Sequence, residues 1–317
     1  MSSKLNIKKT STKYLTWLGK IVRFLLLVGI GFSIVYPFLF MFVTAFRGHE
    51  DMIDPSVVWL TKHWTLDHIK LLFETFDYKE LFGFTIQITL VSALLQTFVC
   101  AFVGYGFARF KFPLHSVMFA IVILTIIVPT QTYMSSLYMT FRFFEIPMVN
   151  SVVELIGGRA FFINLLDTPW PFWLQALFGM GFRSGLFIFI YRQFYRGMPI
   201  ELEEAAFIDG CGSLGTYFKI MFPNAKASMI TVFIFSFVWH WNDYLMTSFF
   251  SESRQTLATS LSSMRTVLER LEGRVDILTV QAQVQAGSLL VILPLLVVFI
   301  IGQRYLSEGI ERSGIVG

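Results

Sequence analysis

A polar segment, 203–210, stands between two hydrophobic stretches and carries the residue types best suited to a recognition site. Acids open it, small residues fill its centre and a turn glycine closes it: Glu203, Glu204, Ala205, Ala206, Asp209 and Gly210. Acids in a first helical turn interact favourably with the helix dipole, and glycine supplies the left-handed conformation of a tight stop. The pattern therefore predicts a short, rigid helix that docks onto a partner. A merely solvated helical hairpin is the alternative.

The surrounding loop, 192–226, is predicted to hold a second short helix at about 214–221, before Pro223 begins the turn into the next apolar stretch. Basic residues flank the loop on both sides: Arg192, Arg196, Lys219 and Lys226. In a membrane protein such residues mark a cytoplasmic loop. Two short helices at an angle could transmit a push from a cytosolic partner to the hydrophobic stretches.

Arg183 is the most costly residue inside an apolar stretch, at about 2.5–3.5 kcal/mol for a span centre. Counted along a continuous helix, it lies roughly 12 Å from the cytoplasmic end, and Asp243 lies roughly 24 Å from that end of the next span. This offset argues against a direct pair between them. We expect Arg183 to face a subunit interface or a wet cavity, with snorkelling or a bond to a carbonyl as the alternative.

Four other polar or aromatic residues are candidates for a translocation path. Trp239, Asn242 and Asp243 could line its outer part, since aromatic faces and carboxylates suit polyols, or they could form an anchor at the membrane interface. Gln131 lies two residues after Pro129, and a proline frees backbone groups in a span. Further glutamines in apolar stretches, Gln96 among them, must find partners inside a helix bundle.

The amino-acid composition indicates whether the chain folds in water or in a lipid bilayer. Of 317 residues, 55% are hydrophobic and 15% are charged, whereas soluble domains have about 25% charged residues. The net charge of +4 is spread over the ends of the apolar stretches, which argues against a nucleic-acid site. Two cysteines give no disulfide framework, and five histidines show no zinc-ligand spacing. The chain is therefore predicted to be an all-α, polytopic membrane protein.

Six apolar stretches qualify as membrane spans: 24–46, 82–107, 116–141, 170–191, 227–250 and 286–303. They form one predicted domain, 24–303, between a basic N-terminal tail, 1–23, and a C-terminal tail, 304–317. Lys and Arg concentrate in both tails and in the two loops that share their side, which places both termini in the cytoplasm. The last outer loop, 251–279, shows helical spacing of leucines. It is predicted to lie on the membrane surface or to contact an external partner.

Several motifs together resemble one family, the membrane subunits of binding-protein-dependent ABC importers, in their carbohydrate (MalG-like) group. The signature of the family is Glu-Ala-Ala, three residues, then Gly, with an aromatic residue and a proline following. The matching residues are Glu204-Ala205-Ala206, Gly210, Phe218, Ile220 and Pro223, with further similarity at 105–113, 128–131, 190–194, 239–244 and 303–317. The resemblance runs from about the first span to the last residue.

The resemblance implies the fold of type I ABC importer permeases and a set of partners. These are a second homologous permease, two ATP-binding subunits that bind ATP and Mg, an extracytoplasmic solute-binding protein and the bilayer. The setting is a bacterial or archaeal cytoplasmic membrane. The six residues of 203–210 named above would contact the ATP-binding subunit, with Glu204 making polar contacts and Ala205 and Ala206 allowing close packing. The chain itself has no G-x-x-x-x-G-K-[ST] run, so we expect it to be neither an enzyme nor a nucleotide binder.

Two departures and two rival functions accompany this interpretation. Cys211 stands where Ala is usual in the family, and the outer segment 144–169 contains extra sequence. The extra segment makes it unsafe to infer the solute of this chain from its relatives.

A self-sufficient secondary transporter would need buried acids that carry protons, and only Asp243 qualifies. A membrane-embedded enzyme would need a cluster of His, Asp or Glu, and His240 with Asp243 has no further partner in the sequence.

Overall fold

The computed structural model describes residues 2–57, 59–156, 161–272 and 277–314. In these ranges the chain is helical, with two isolated β-bridges, Arg47–Trp64 and Phe144–Ile163, as its extended pairings. The prediction of an all-α protein is confirmed. The helices are α1 (Ser2–Ala45), α2 (His49–Ile53), α3 (Asp67–Thr75), α4 (Tyr78–Arg109), α5 (His115–Ile127), α6 (Met134–Arg142), α7 (Pro147–Leu155), α8 (Trp170–Leu177), α9 (Ser184–Gly197), α10 (Glu201–Ile208), α11 (Ser213–Thr216), α12 (Phe222–Asn224), α13 (Lys226–Trp241), α14 (Leu245–Phe250), α15 (Leu257–Glu272) and α16 (Ile277–Gly314).

The chain divides into two compact units, which are described separately. One unit comprises Met1–Thr75 and Arg265–Leu290, and the other comprises Phe76–Met264 and Val291–Gly317. The second unit carries every residue predicted to belong to a functional site.

In the first unit, the loop after α1 is organised around the buried carboxylate of Asp51. It accepts hydrogen bonds from the backbone N–H groups of Lys62 and His63, at 2.6 and 2.7 Å, and from the Thr61 hydroxyl. The His63 ring lies 2.8 Å away. Burial alone would raise the pKa of Asp51, but these hydrogen bonds hold it well below its usual range. The loop is therefore closed by one ionised side chain.

The core of the second unit is built around α4, which packs against α9, α13 and α8. Asp77 caps the start of α4 by accepting the Glu80 backbone N–H at 3.0 Å, and Arg109 stands in its last turn, where a cation suits the helix dipole. At Gly104 the backbones of α4 and α9 come so close that a Cβ atom would lie 2.6 Å from the Tyr191 Cβ. This contact requires glycine.

Three helical stretches are long and apolar enough to cross a membrane in the described ranges: Trp17–Ala45, Tyr78–Arg109 and Ile277–Tyr305. A fourth crossing is added if the pair Ser213–Asn224 and Lys226–Trp241, bent by 74°, counts as one span. Three of the six predicted spans are thus not continuous helices, and six crossings are not confirmed by length and composition.

The interruptions have local causes. The stretch 116–141 breaks before Pro129, because the residue that precedes a proline favours extended backbone, as Val128 shows. The stretch 170–191 breaks at 178–183, where Gly179 and Arg183 both have positive φ angles of 68° and 64°. The stretch 227–250 breaks between α13 and α14, at 242–244.

The predicted tails continue the terminal helices. The helix α1 begins at Ser2, so 1–23 is helical almost throughout and leads into the first span without a break. The helix α16 runs to Gly314 and covers most of the predicted tail 304–317, whose last three residues lie outside the described ranges. The helical spacing in 251–279 is confirmed by α15.

Candidate functional site

The helix predicted from the acids of 203–210 is α10, which spans Glu201–Ile208. Glu201, Glu203 and Glu204 occupy its first turn. Gly210 follows with φ +81°, and its backbone N–H donates to the Phe207 carbonyl at 3.0 Å. The left-handed glycine ends the helix as the sequence indicated.

The six predicted contact residues differ in their exposure. Glu203 and Ala206 are buried in the chain, the latter with 1% of its surface exposed, whereas the remaining four are exposed: Glu204, Ala205, Asp209 and Gly210. Ala206 therefore provides close packing within its own chain, and Ala205 is the small residue left on the outer face. Six large apolar side chains of the same loop are also exposed: Ile200, Leu202, Phe207, Ile208, Leu214 and Phe218.

Glu203 is bound inside the chain by an ion pair to the end of α4. The Arg109 Nε lies 2.9 Å from the Glu203 Oε1, and both side chains are largely buried, with 11% and 8% exposed. The Arg109 Nη2 also donates to the Met198 carbonyl at 2.8 Å. One guanidinium thus joins the ends of α4 and α9 to α10.

The second half of the loop is held by an aromatic cluster. A π-helical turn, Tyr217–Met221, follows α11, close to the predicted helix at 214–221. The ring of Tyr217 is buried and its centroid lies 5.0 Å from that of Tyr105 and 5.3 Å from that of Phe102, both on α4. The centroid of the Tyr195 ring on α9 lies 6.5 Å away. Both helical segments of the loop are therefore attached to the same two helices of the core.

The residues predicted for a translocation path come together only in part. Arg183 stands in the break between α8 and α9, and its guanidinium lies 5.2 Å from the Phe182 ring centroid and 5.5 Å from that of Trp239. The prediction that it lies in mid-helix is wrong, because the span is broken there. The Asn242 amide donates to the Val238 carbonyl at 2.8 Å and remains exposed. Gln131 lies in a 3-10 turn, exposed.

Asp243 has a defined structural task, which the sequence did not indicate. Its carboxylate accepts the backbone N–H groups of Met246 and Thr247, at 3.2 and 2.8 Å, and the Thr247 hydroxyl at 2.8 Å. These contacts cap the start of α14. Asp243 makes them from the edge of a small cavity between the helix breaks at 178–183 and 242–244. This cavity is lined by Phe172, Gln175, Gly181, Phe182, His240, Asp243 and Met246.

Gln96 of α4 is the polar residue that sequence reasoning undervalued. Its side chain is fully buried, and its Nε2 donates to the Phe182 carbonyl at 2.9 Å and to the Ser184 hydroxyl at 2.8 Å. Its Oε1 accepts the Ser236 hydroxyl of α13 at 2.5 Å. A glutamine in an uncharged apolar helix indicates from the sequence that a buried polar contact exists. Its partners could not be predicted, because they lie far away in the sequence.

In the described part of the chain, no cluster of three or more His, Cys, Asp or Glu side chains could hold a metal ion. Cys100 is buried and Cys211 is partly exposed, and both are free thiols.

Comparison with known proteins decides the family. The pattern described as binding-protein-dependent transport system inner membrane component matches residues 100–312, well over half of the chain. The chain belongs to this family. The predicted resemblance is confirmed, and so is the assignment to an integral membrane protein.

Three of its relatives are named as permease proteins of sugar transport systems. The chain is 26% identical to the arabinooligosaccharides transport system permease protein AraQ of Halalkalibacterium halodurans, over 98% of this chain and 100% of the relative. It is 26% identical to the maltodextrin transport system permease protein MdxG of Bacillus subtilis, over 95% and 97% of the two chains. It is 27% identical to the lactose transport system permease protein LacG of Rhizobium radiobacter, over 93% and 96%.

A solved structure shows the same fold. A chain of a bacterial ABC transporter involved in the import of the acidic polysaccharide alginate superposes with a TM-score of 0.70, at 18% identity, over 91% of this chain and 96% of that one. The solved structure thus shows that the chain has the ABC importer permease fold. The family match and the three sugar-transport relatives place it among the sugar ABC transporter permeases.

Proposed function

We propose that this permease forms half of the translocation path of an ATP-driven importer for a sugar or oligosaccharide, and that α10 couples it to a separate ATP-binding subunit. The observation that carries the coupling is the outer face of the loop, where Glu204 stands among exposed apolar side chains such as Ile208, 86% exposed. Contiguous exposed apolar surface beside a charge is typical of a protein–protein interface. The glycine stop and the internal ion pair hold that face in one conformation.

The proposed topology has six crossings and two cytoplasmic termini. The three broken stretches supply three crossings, as α5 with α6, α8 with α9, and α13 with α14, in addition to α1, α4 and α16. In this arrangement the end of α4 and the loop 192–226 fall on the same side. The contact between Arg109 and Glu203 supports that arrangement, because it joins the two. The excess of Lys and Arg makes this side cytoplasmic.

The proposed path follows the helix breaks. Discontinuous helices commonly form the solute site of a transporter because their unwound ends offer polar groups in mid-membrane. Here Arg183, Trp239 and Asp243 border the breaks at 178–183 and 242–244, with Asn242 beside them and Gln131 at the break between α5 and α6. The names of three relatives, which specify arabino-oligosaccharides, maltodextrin and lactose, support a saccharide as the solute.

The remaining partners follow from the family. We infer that a second homologous permease completes the path, that two ATP-binding subunits bind ATP and Mg, and that an extracytoplasmic solute-binding protein delivers the ligand. In this assembly Glu204 makes polar contacts to the ATP-binding subunit and Ala205 allows it to approach closely. The site of action is the cytoplasmic membrane of a bacterium or archaeon.

The test is recovery of partners from the native membrane. The tagged chain is solubilised mildly, and co-purifying proteins are identified for the parent, for Glu204→Lys and for the matched control Glu74→Lys. Glu74 is an exposed acid of α3, so it undergoes the same charge change outside the docking face. Reversing a charge at the centre of an interface costs about 2 kcal/mol or more, roughly thirtyfold in affinity.

We expect the parent and Glu74→Lys to retain an ATP-binding subunit and a second permease. Glu204→Lys should retain the permease and lose the ATP-binding subunit. Recovery of every variant alone would refute the importer assignment for this chain and favour the self-sufficient secondary transporter of a polar solute.

A further inference from the structure

Glu203 and Glu204 are adjacent acids with opposite environments. Glu204 is exposed, whereas Glu203 is buried against Arg109. Among the ion pairs of the described residues, this is the one in which both side chains are largely buried. A residue in that position is not available to an ATP-binding subunit.

Arg109 is suited to join several elements at once. It is the last residue of α4, and its guanidinium contacts Glu203 of α10 and the carbonyl of Met198, which follows α9. A guanidinium presents its donors in a fixed planar fork, so one ion pair and one hydrogen bond to different elements fix their relative position. The ammonium of a lysine would act as a single point charge.

The π-helical turn that follows α10 and α11 is also attached to the core, through Tyr217. Tyr217 packs against Tyr105 of α4, one helical turn from Arg109, and against Tyr195 of α9. The two attachments hold both segments of the loop on the ends of the same two helices. A displacement of α10 would therefore be delivered to α4 and α9 rather than absorbed by the loop.

We propose that the Glu203–Arg109 ion pair is the positioning contact that carries movement of α10 into α4 and α9. This inference rests on the proposed function, in which an ATP-binding subunit moves α10. It assigns the two acids separate tasks: Glu204 binds the partner, and Glu203 transmits the movement into the chain.

The test separates binding from transmission. The assembled complex is prepared with the parent chain, with Glu203→Gln, with Arg109→Gln and with the double variant, and Arg196→Gln serves as control. Arg196 is an exposed arginine of α9. Hydrogen–deuterium exchange of the permease is measured with and without ATP and vanadate, so that no solute need be known. Recovery of the ATP-binding subunit and thermal stability are measured on the same samples.

In the parent, ATP with vanadate should change exchange in 192–226 and also along 78–109. In either single variant the ATP-binding subunit is still recovered, but the change along 78–109 shrinks by about threefold or more. The double variant should be no worse than the singles, because one shared contact has been removed. It also leaves no unpaired buried charge, so it guards against a single variant that fails to fold.

Three results would overturn the inference. One is an unchanged response along 78–109 in the double variant. Another is loss of the ATP-binding subunit from Glu203→Gln alone, which would make Glu203 a partner contact. The third is lowered thermal stability in all three variants with normal transmission, which would make the pair a purely structural one. Failure of the parent to recover any ATP-binding subunit would instead refute the proposed function.

Discussion

Replacement of Gln96 by leucine should destabilise the chain, because the Gln96 side chain hydrogen-bonds to residues at α9 and α13 as well as belonging to α4. Gln96 bonds to the Phe182 carbonyl and the Ser184 hydroxyl on one side, and to the Ser236 hydroxyl on the other. Leucine has a similar volume and creates little cavity, so the loss is mainly that of the three hydrogen bonds. Ser236 lies inside α13 and can turn to a carbonyl one turn earlier, whereas the Phe182 carbonyl, in the break, has no such alternative.

The magnitude follows from these contacts. Hydrogen bonds between helices in a membrane are worth about 0.6 kcal/mol each on average, so the three together give about 2 kcal/mol. An orphaned carbonyl costs about 1 kcal/mol or more, which would add to this value. A loss of about 2 kcal/mol corresponds to roughly thirtyfold in the folding equilibrium. At about 2 °C per kcal/mol for larger domains, the midpoint of thermal unfolding should fall by about 4 °C or more.

The assay is thermal unfolding of the purified chain in detergent, for the parent, Gln96→Leu and Gln87→Leu. Gln87 lies on the same helix with its side chain exposed, so its replacement changes composition equally without breaking the three contacts. We expect Gln87→Leu to remain within about 1 °C of the parent, since surface substitutions stay within about 0.5 kcal/mol. Equal midpoints for the two variants would refute the reasoning.

Two further predictions use contacts of other regions. Gly104→Ala places a Cβ atom 2.6 Å from that of Tyr191 and should destabilise the chain by about 1–3 kcal/mol. Gly106→Ala meets open space and should stabilise the chain by up to about 1 kcal/mol. Thermal unfolding of both variants checks that the two midpoints shift in opposite directions, and equal shifts would contradict the close contact at Gly104. Hydrogen bonding to Asp51 raises the pKa of His63, so the stability that His63 contributes is complete below its ordinary pKa and is lost as the pH rises through the raised one. Hydrogen exchange of 47–65, corrected for the intrinsic pH effect, should show protection falling across that window in the parent and already low in Asp51→Asn; protection independent of pH and of the substitution would refute this.

The features that the sequence predicted well are those with local causes. Acids in a first turn, good helix formers and a glycine in the left-handed region are all within one segment, so the start of α10 and its stop at Gly210 could be read directly. The long apolar helices α1, α4 and α16 were also predicted, because twenty uncharged residues in a row have few alternatives.

The helix breaks were missed because averaging over an apolar stretch hides single positions. Arg183 at φ 64° leaves the helix although its neighbours are apolar, and the contacts that hold it there come from two rings, Phe182 and Trp239. The orientation of Glu203 was missed for a related reason. Nothing within 203–210 tells the two adjacent acids apart, because the partner that buries one of them, Arg109, belongs to another helix.

At two of the helix breaks, side chains hydrogen-bond to the backbone groups that the break leaves free. Water cannot satisfy an open helix end inside a bilayer, so each freed N–H and C=O group needs a protein partner. Gln96 supplies one at the Phe182 carbonyl, where α9 has not yet begun, and Asp243 supplies two at the first amides of α14. The breaks at 178–183 and 242–244 border one cavity, and Asp243, which completes the start of α14, is one of its polar lining residues. In the proposed importer, a variant that disturbs these partners should therefore alter the path and the stability together. By contrast, the double variant that removes both Arg109 and Glu203 leaves no buried charge unpaired, so in the proposed importer we expect it to change coupling more than stability. Stability and coupling are thus expected to depend on different side chains of α4, and the experiments on Gln96 and on Arg109 test this separation.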